Sequence, residues 1–390
     1  MYGGVLLLNA ELLGGDGEIL WVGTYTSPRE IFNKAMYASN SDATTQWTDS
    51  YQVINTANNV LSAIDVVAEA DQDRVEGEAL FLRSLVYFDL VRFYALQYEP
   101  GVTNNQYGVP LIITPTRGIT ENSFVGRSSV EDVYTQVVND LTRAITLLPE
   151  DNGVYASSGA AEALLARVYL QMGDYANARD AASNVIESGN YALMGTYEEV
   201  FNNDNNSAED IFATQITPQD RFSSMTEFFS TPEFGGRGGD VEVLDPGHIG
   251  LYDPADERLG LFYDYSGATQ CGKWNNQYGV INLIRLAEMY LIRAECNFRE
   301  GTVVGDTPLN DYNAIHTRAG LTAAGSIVLD DILYERRLEL AFEGFKIHDM
   351  RRLQQSVGTL PYDDPKLVFP IPAREIEANP TIASQQNEGY

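Results

Sequence analysis

Cysteine is nearly absent from this chain. Cys271 and Cys296 are the only two in 390 residues, too few for a disulfide framework or a cysteine zinc cluster. They fall in different expected elements, so no bridge between them is expected. Histidine is as scarce. His248, His316 and His348 lie far apart and none has the spacing of a metal-binding helix, so each reads as a structural histidine. Positive charge is also short: 25 Lys and Arg stand against 55 Asp and Glu, a net charge of −30. Such a surface repels phosphate backbones and anionic headgroups, which excludes nucleic acid and anionic lipid as expected partners. Neutral ligands such as sugars stay open. No apolar run approaches the ~18 residues that cross a bilayer; the most apolar expected helix is interrupted by Arg83, Asp89 and Arg92. A signal peptide is missing too. Met1-Tyr2-Gly3-Gly4 runs into Val5-Leu6-Leu7-Leu8 without a basic region or cleavage site. Residues 5–13 read as an amphipathic helix entered partway along, and the natural N-terminus is expected to lie upstream.

Catalytic signatures are equally thin. There is no Gly-x-Ser-x-Gly elbow and no Gly-x-Gly-x-x-Gly loop. Gly267-Ala268-Thr269-Gln270-Cys271-Gly272-Lys273 has the spacing of a phosphate-binding loop. Trp274 replaces its Ser or Thr, and Asn275, Asn276 and Gly279 follow where a helix should start, so the match reads as chance. The acidic runs Asp71-Asp73-Glu76 and Asp204-Glu209-Asp210 fit no helix–loop–helix calcium pattern. The first reads as a solvated turn before a helix.

What the chain has is helical period and aromatics. Apolar residues make up 44%, enough for a sizeable core. Trp47, Tyr51, Ile54, Asn58 and Leu61 recur at helical spacing and predict a helix over 46–69. Residues 78–96 are apolar nearly all round, as in a buried central helix. Residues 130–148 are amphipathic, capped by Ser128 or Ser129 and stopped by Pro149. Residues 160–187 form two helices around the turn Gly173-Asp174-Tyr175, with small alanines for close approach, like a tetratricopeptide repeat. Weaker echoes at 78–148 and 283–321 predict helical hairpins packed side by side. Residues 191–282 break this pattern. They are rich in Gly, Asn and aromatics, with short strands expected at 210–214 and 273–274 and a mobile glycine run at 235–239. They read as an irregular insertion on one face of the helical body, where function is expected.

A last helix is expected over 331–342, ended by Gly344. Its carboxylates Glu335, Glu339 and Glu343 repeat at i,i+4, a repulsive spacing. The nearby cations Arg336, Arg337, Lys346, Arg351 and Arg352 are expected to compensate and to tie the helix to the tail. The tail itself (Val368-Phe369-Pro370-Ile371-Pro372, Asn379-Pro380, Gln386-Asn387-Glu388-Gly389-Tyr390) has no helix or strand period yet is full of fixed-backbone residues. It reads as an ordered clamp. Aromatics without a visible core stripe are the candidate glycan-stacking residues: Trp21, Tyr25, Tyr37, Phe229, Phe234, Tyr263, Tyr265 and Trp274. Such rings can cover the apolar face of a sugar while Asn, Asp and Arg bind its hydroxyls.

These motifs together resemble the SusD/RagB family. The resemblance is carried by Ala10-Glu11-Leu12-Leu13, Glu78 to Arg83, Tyr87 to Val91, Gly108-Val109-Pro110-Leu111, Leu148-Pro149 and the 161–175 repeat. Arg285-Leu286-Ala287-Glu288, Tyr290 to Glu295, Arg318-Ala319-Gly320-Leu321, Glu335 to Leu340, Glu343-Gly344, Asp349 to Arg352 and the closing motifs continue it in order. Lys346, His316 and Glu388 depart from the usual residues. The resemblance implies one domain over 1–390, mainly α: tetratricopeptide-like pairs forming a right-handed scaffold (46–190 and 283–352), the insertion (191–282) and an ordered tail (353–390). It also implies a non-enzymatic, cofactor-free receptor, lipid-anchored outside the outer membrane in its full-length form. Such a receptor would bind oligo- or polysaccharide and deliver it to a SusC-like TonB-dependent transporter. From the residues alone, a peptide-binding repeat scaffold and a glycoside hydrolase remain as alternatives; for the second, no acid/base pair is placed.

Overall fold

The structure, a computed structural model, describes residues 2–220 and 222–390. Among them are thirteen α-helices and six short strands. The scaffold begins with α1 (Val5–Gly14), α2 (Thr26–Phe32), α3 (Ser41–Leu61) and α4 (Glu69–Tyr94). It continues with α5 (Val130–Leu147), α6 (Ser158–Met172) and α7 (Tyr175–Glu187). After the insertion, which carries α8 (Ser224–Phe229), come α9 (Leu286–Glu300), α10 (Pro308–Arg318), α11 (Leu329–Glu339), α12 (Lys346–Arg352) and α13 (Ala373–Ala378). Packing follows chain order: α3 on α4, α4 on α5, α5 on α6, α6 on α7, then α7 on α9 and α9 on α10 and α11. The row of hairpins therefore continues across the insertion as if it were not there.

Local chemistry explains the pairs. Ser129 caps α5, bonding the Asp132 amide while the Asp132 carboxylate returns to the Ser129 amide. Between α6 and α7, Gly173 takes φ 71° and Asp174 caps the next helix. Ala160, Ala163, Ala166, Ala178 and Ala182 are fully buried, the price of close backbone approach being a loss of large side chains.

Several boundaries differ from the expectations. The helix expected over 46–69 ends at Leu61, and a 3-10 turn, Ile64–Val66, separates it from α4. Asp71, Asp73 and Glu76 lie inside α4 rather than in a turn before it. Asp71 and Glu78 both pair with Arg74, and acidic residues suit the first turn of a helix. α1 is buried nearly all round rather than amphipathic, because α2, α8 and α12 all pack on it. α11 ends at Glu339, and the chain reaches Gly344 through a turn in which Phe342 has φ 62°. At Gly344 (φ 84°) a Cβ would meet the Leu7 backbone at 2.9 Å.

Two antiparallel sheets fasten the insertion. β2 (Asp210–Thr214) pairs with β6 (Ile281–Arg285), closing its two ends together. β1 (Ile19–Trp21), β3 (Val241–Val243), β5 (Ala268–Cys271) and β4 (Phe262–Tyr265) form the second sheet in that order. The strand expected at 273–274 is instead a 3-10 turn, Gly272–Trp274, directly after β5. The glycine run expected to be mobile is hydrogen-bonded: the amides of Gly236, Arg237 and Gly239 donate to Thr231, Glu227 and Ser230 carbonyls.

Buried ion pairs neutralise Glu335, Glu339 and Glu343, but not with the cations expected for them. Glu339 faces Arg285 and Arg318, Glu343 faces Arg285 (2.7 Å) and Lys273 (2.7 Å), and Glu335 faces Arg258 (2.6 Å). These cations come from the insertion, β6 and α10. Arg337 and Lys346 turn to Glu18, Arg336 and Arg352 to Asp349 (2.8 and 2.6 Å). Among the described residues Arg351 pairs with no carboxylate; it donates to the carbonyls of Arg92 and Ala95, both at 2.7 Å. Arg127 likewise donates to Tyr94 O at 2.9 Å. Both arginines thus complement the C-terminus of α4. The tail docks there as well: the Phe369 amide bonds Phe93 O (2.7 Å), and Asn387 Nδ2 bonds Tyr94 O (2.9 Å) and Phe369 O (2.7 Å). Tyr390 closes the loop by donating to Val368 O at 2.8 Å.

Candidate ligand-binding site

The β4–β5 hairpin turns through Ser266 and Gly267, both at positive φ, and carries Tyr263 into a surface cleft of about 520 Å³. Across from it, α8 runs into a 3-10 turn, Pro232–Phe234, that brings Phe234 edge-on to Tyr263, centroids 5.7 Å apart at 74°. Asn275 fixes one wall. Its Oδ1 accepts from Tyr263 OH (3.2 Å) and Ser230 Oγ (2.7 Å), leaving the Nδ2 hydrogens to other acceptors. The opposite wall is the segment 197–203. Asn202 takes φ 65°, tolerable for asparagine, and donates to Gly272 O at 2.9 Å. Tyr197, Phe201 and Leu261 form an apolar floor. Beneath it Lys273 Nζ lies 4.7 Å from the Phe201 ring and Arg318 4.7 Å from that of Tyr197. Glu198, Glu233 and Asn203 complete the lining. Rings at an open mouth with carboxamides around them suit a ligand having both apolar faces and hydroxyls. Partial burial raises the Tyr263 phenol pKa, so it stays a neutral donor at physiological pH.

Of the eight aromatics singled out, Phe234 and Tyr263 line this cleft. Three are corrected by burial, which leaves no free ring face. Trp274 is 4% exposed and donates Nε1 to Phe342 O at 3.0 Å. Phe229 is fully buried against Phe342. Trp21 sits on the inner side of β1, packed on Phe228 at 5.5 Å. Tyr25 is half-exposed but covered by Arg237, whose guanidinium lies 4.1 Å from the ring and bonds its hydroxyl. Tyr265 and Tyr37 are exposed and line none of the cavities described. Tyr197, Asn202, Asn203 and Asn275 were not singled out; the asparagine density at 202–206 and 275–276 was the available signal.

Other candidate chemistry is consumed internally. Lys273 of the phosphate-loop look-alike is buried and donates to Glu339 O and Ala341 O, both at 2.9 Å. His248 bonds Glu18 (2.7 Å) and Tyr252 (3.1 Å), and His316 bonds Glu335 (2.9 Å). Glu209 is held by Arg285 and Arg318, and Asp210 by Asn282. Cys271 and Cys296 are free and buried. A second cavity of about 430 Å³ between α1 and α11–α12 is ringed by Glu18, His248, Arg337 and Lys346, which satisfy one another. No helix among the described residues is long and apolar enough to cross a membrane.

Fold and cleft together define a helical-repeat scaffold that presents an open, aromatic-lined cleft on an insertion. Two family models match the chain: one described as starch-binding associating with outer membrane, over residues 23–170, and one for the SusD family, over 259–366. A SusD-like protein of Bacteroides ovatus is 27% identical, the match covering 78% of this chain and 64% of that protein's length. A SusD superfamily crystal structure from Bacteroides thetaiotaomicron superposes with TM-score 0.86 at 26% identity, covering 99% of this chain and 95% of that one. A proposed sugar-binding protein from Bacteroides vulgatus gives 0.84 at 26%, covering 98% and 96%. The chain belongs to the SusD/RagB family.

Proposed function

We propose that this protein binds oligo- or polysaccharide in the Phe234–Tyr263 cleft and passes it to a SusC-like TonB-dependent transporter. It does so without cleaving it, from a lipid-anchored position outside the outer membrane. The observation that carries the binding step is the pairing of Phe234 and Tyr263 at an open mouth with Asn275 hydrogen-bonded to the tyrosine. A sugar ring stacked there would leave its hydroxyls at the carboxamide wall. The sugar-binding description of the Bacteroides vulgatus relative and the outer-membrane description of the matching family model support the reading.

Affinity electrophoresis through gels containing α-glucan, β-glucan, mannan, galactan or polygalacturonate tests it. At least one gel should retard the protein, with no reducing sugar released. Failure to bind any of them would sink the proposal. Delivery is tested separately: an affinity tag on the full-length protein in its own cells should recover a TonB-dependent barrel, and recovery of the receptor alone would count against it.

A further inference from the structure

We infer that the cleft discriminates by charge, accepting neutral glycans and rejecting uronate or sulfated ones, with Glu198 and Glu233 as the residues that set this selectivity. The inference rests on the glycan-binding reading and goes further by naming the ligand class. Glu198 and Glu233 are the charged groups lining the cleft, and both are exposed. No lysine or arginine lines it among the described residues. A carboxylate just beyond adds to this: Asp204 accepts from Asn276, whose other amide hydrogen holds the Asn202 carbonyl.

Cations do lie close, behind the floor, yet they are already committed. Lys273, Arg285, Arg318 and Arg258 are buried among the five carboxylates Glu209, Asp256, Glu335, Glu339 and Glu343. The cluster beneath the aromatic floor is therefore not a source of positive potential. Arg237, beyond α8, is held by Asp240 at 2.9 Å. A net charge of −30 adds a long-range field of the same sign. A ligand carboxylate at the mouth would meet two like charges and no compensating donor cation. A neutral sugar would meet the same two carboxylates only as hydrogen-bond acceptors for its hydroxyls, beside the rings and carboxamides.

The test takes a neutral polysaccharide that binds and its C6-oxidised polyuronate, the same backbone with each primary hydroxyl turned to a carboxylate. Calorimetry on the two at low salt should give affinity for the polyuronate at least about tenfold weaker, equivalent to about 1.4 kcal/mol. Raising salt to 1 M, where the screening length falls to about 3 Å, should narrow the gap. In Glu198→Gln/Glu233→Gln the neutral-to-acidic ratio, read within one sample of folded protein, should fall toward one. Binding of acidic glycans alone, or a ratio unchanged in the double variant, would overturn the charge selectivity and leave glycan binding standing. Binding of neither class would overturn both.

Discussion

Tyr263 and Trp274 belong to one β4–β5 hairpin and the 3-10 turn that follows it, yet they stand in opposite environments. Tyr263 lines the cleft and Trp274 fills the core beneath it. Their alanine variants should fail differently. Tyr263→Ala removes a ring face from the ligand and should weaken glycan affinity by about tenfold or more, roughly 1.4 kcal/mol, with little change in melting temperature. Trp274→Ala empties a buried site and leaves Phe342 O without its donor. It should cost about 3–5 kcal/mol of stability, visible as a lower denaturant midpoint. If Trp274→Ala melted normally and lost only binding, its ring would have to be at the ligand. Glu339→Gln tests the buried pairs in the same way. It faces Arg285 and Arg318 and also accepts from Tyr197 OH at 2.7 Å. Removing its charge takes one of three carboxylates from Arg285 and one of two from Arg318, a loss of about 3 kcal/mol readable by urea unfolding.

At the scale of elements, the tail makes a sharp prediction because one of its side chains links the end of α4, the tail backbone and Arg127. Asn387 bridges Tyr94 O, Phe369 O and Arg127 Nη1. Asn387→Ala should cost about 2 kcal/mol, chiefly because Phe369 O loses its donor while Tyr94 O keeps Arg127, and glycan affinity should be unchanged. An equal loss of affinity would mean that the tail reaches the cleft. The long helices were legible in the sequence because their apolar stripes and caps are local: Ser129, Gly173 and Pro149 sit where the rules put them. The α3–α4 break was not, since residues 62–68 contain neither Gly nor Pro and the chain turns there by a single 3-10 step. The tail was expected to be an ordered clamp, but where it attaches was not legible, because its hydrogen bonds to α4 depend on contacts some 290 residues distant, as from Asn387 to Tyr94. The cleft was half legible. Aromatic density marked the insertion, yet β1 is three residues long and pairs with β3 over 200 residues away. No local pattern could tell that Trp21 faces inward and Tyr25 outward.

For the whole molecule, two electrostatic effects pull in opposite directions with pH. Burial pushes the carboxyls of Glu295, Glu343 and Asp349 up, but Arg352 and Arg299, Arg285 and Lys273, and Arg336 and Arg352 respectively outweigh it and hold all three below their usual values. The stability they contribute is fully present above the unfolded carboxylate range near 4.3 and is lost as pH falls below it. Glu11 and Asp210 behave oppositely. Burial raises them to about 7 and about 6, so stability is lost as pH rises from the unfolded value through those folded ones. Self-repulsion at net −30 adds to the loss at higher pH. Thermal melting should therefore peak at about pH 5 to 6 and fall on both sides. The two arms are distinguishable. Salt at 1 M should lift the alkaline arm, where exposed charges repel one another, and leave the acid arm in place, because its ion pairs are buried. Glu11→Gln keeps an acceptor for the Gly344 amide, bonded at 2.8 Å in the native chain. It should raise stability at pH 8 by on the order of 3 kcal/mol and not at pH 4. A melting temperature that rose steadily to pH 8 in the native protein, or a Glu11→Gln variant no more stable there, would show that Glu11 ionises without penalty. The buried end of α1 would then be open to water.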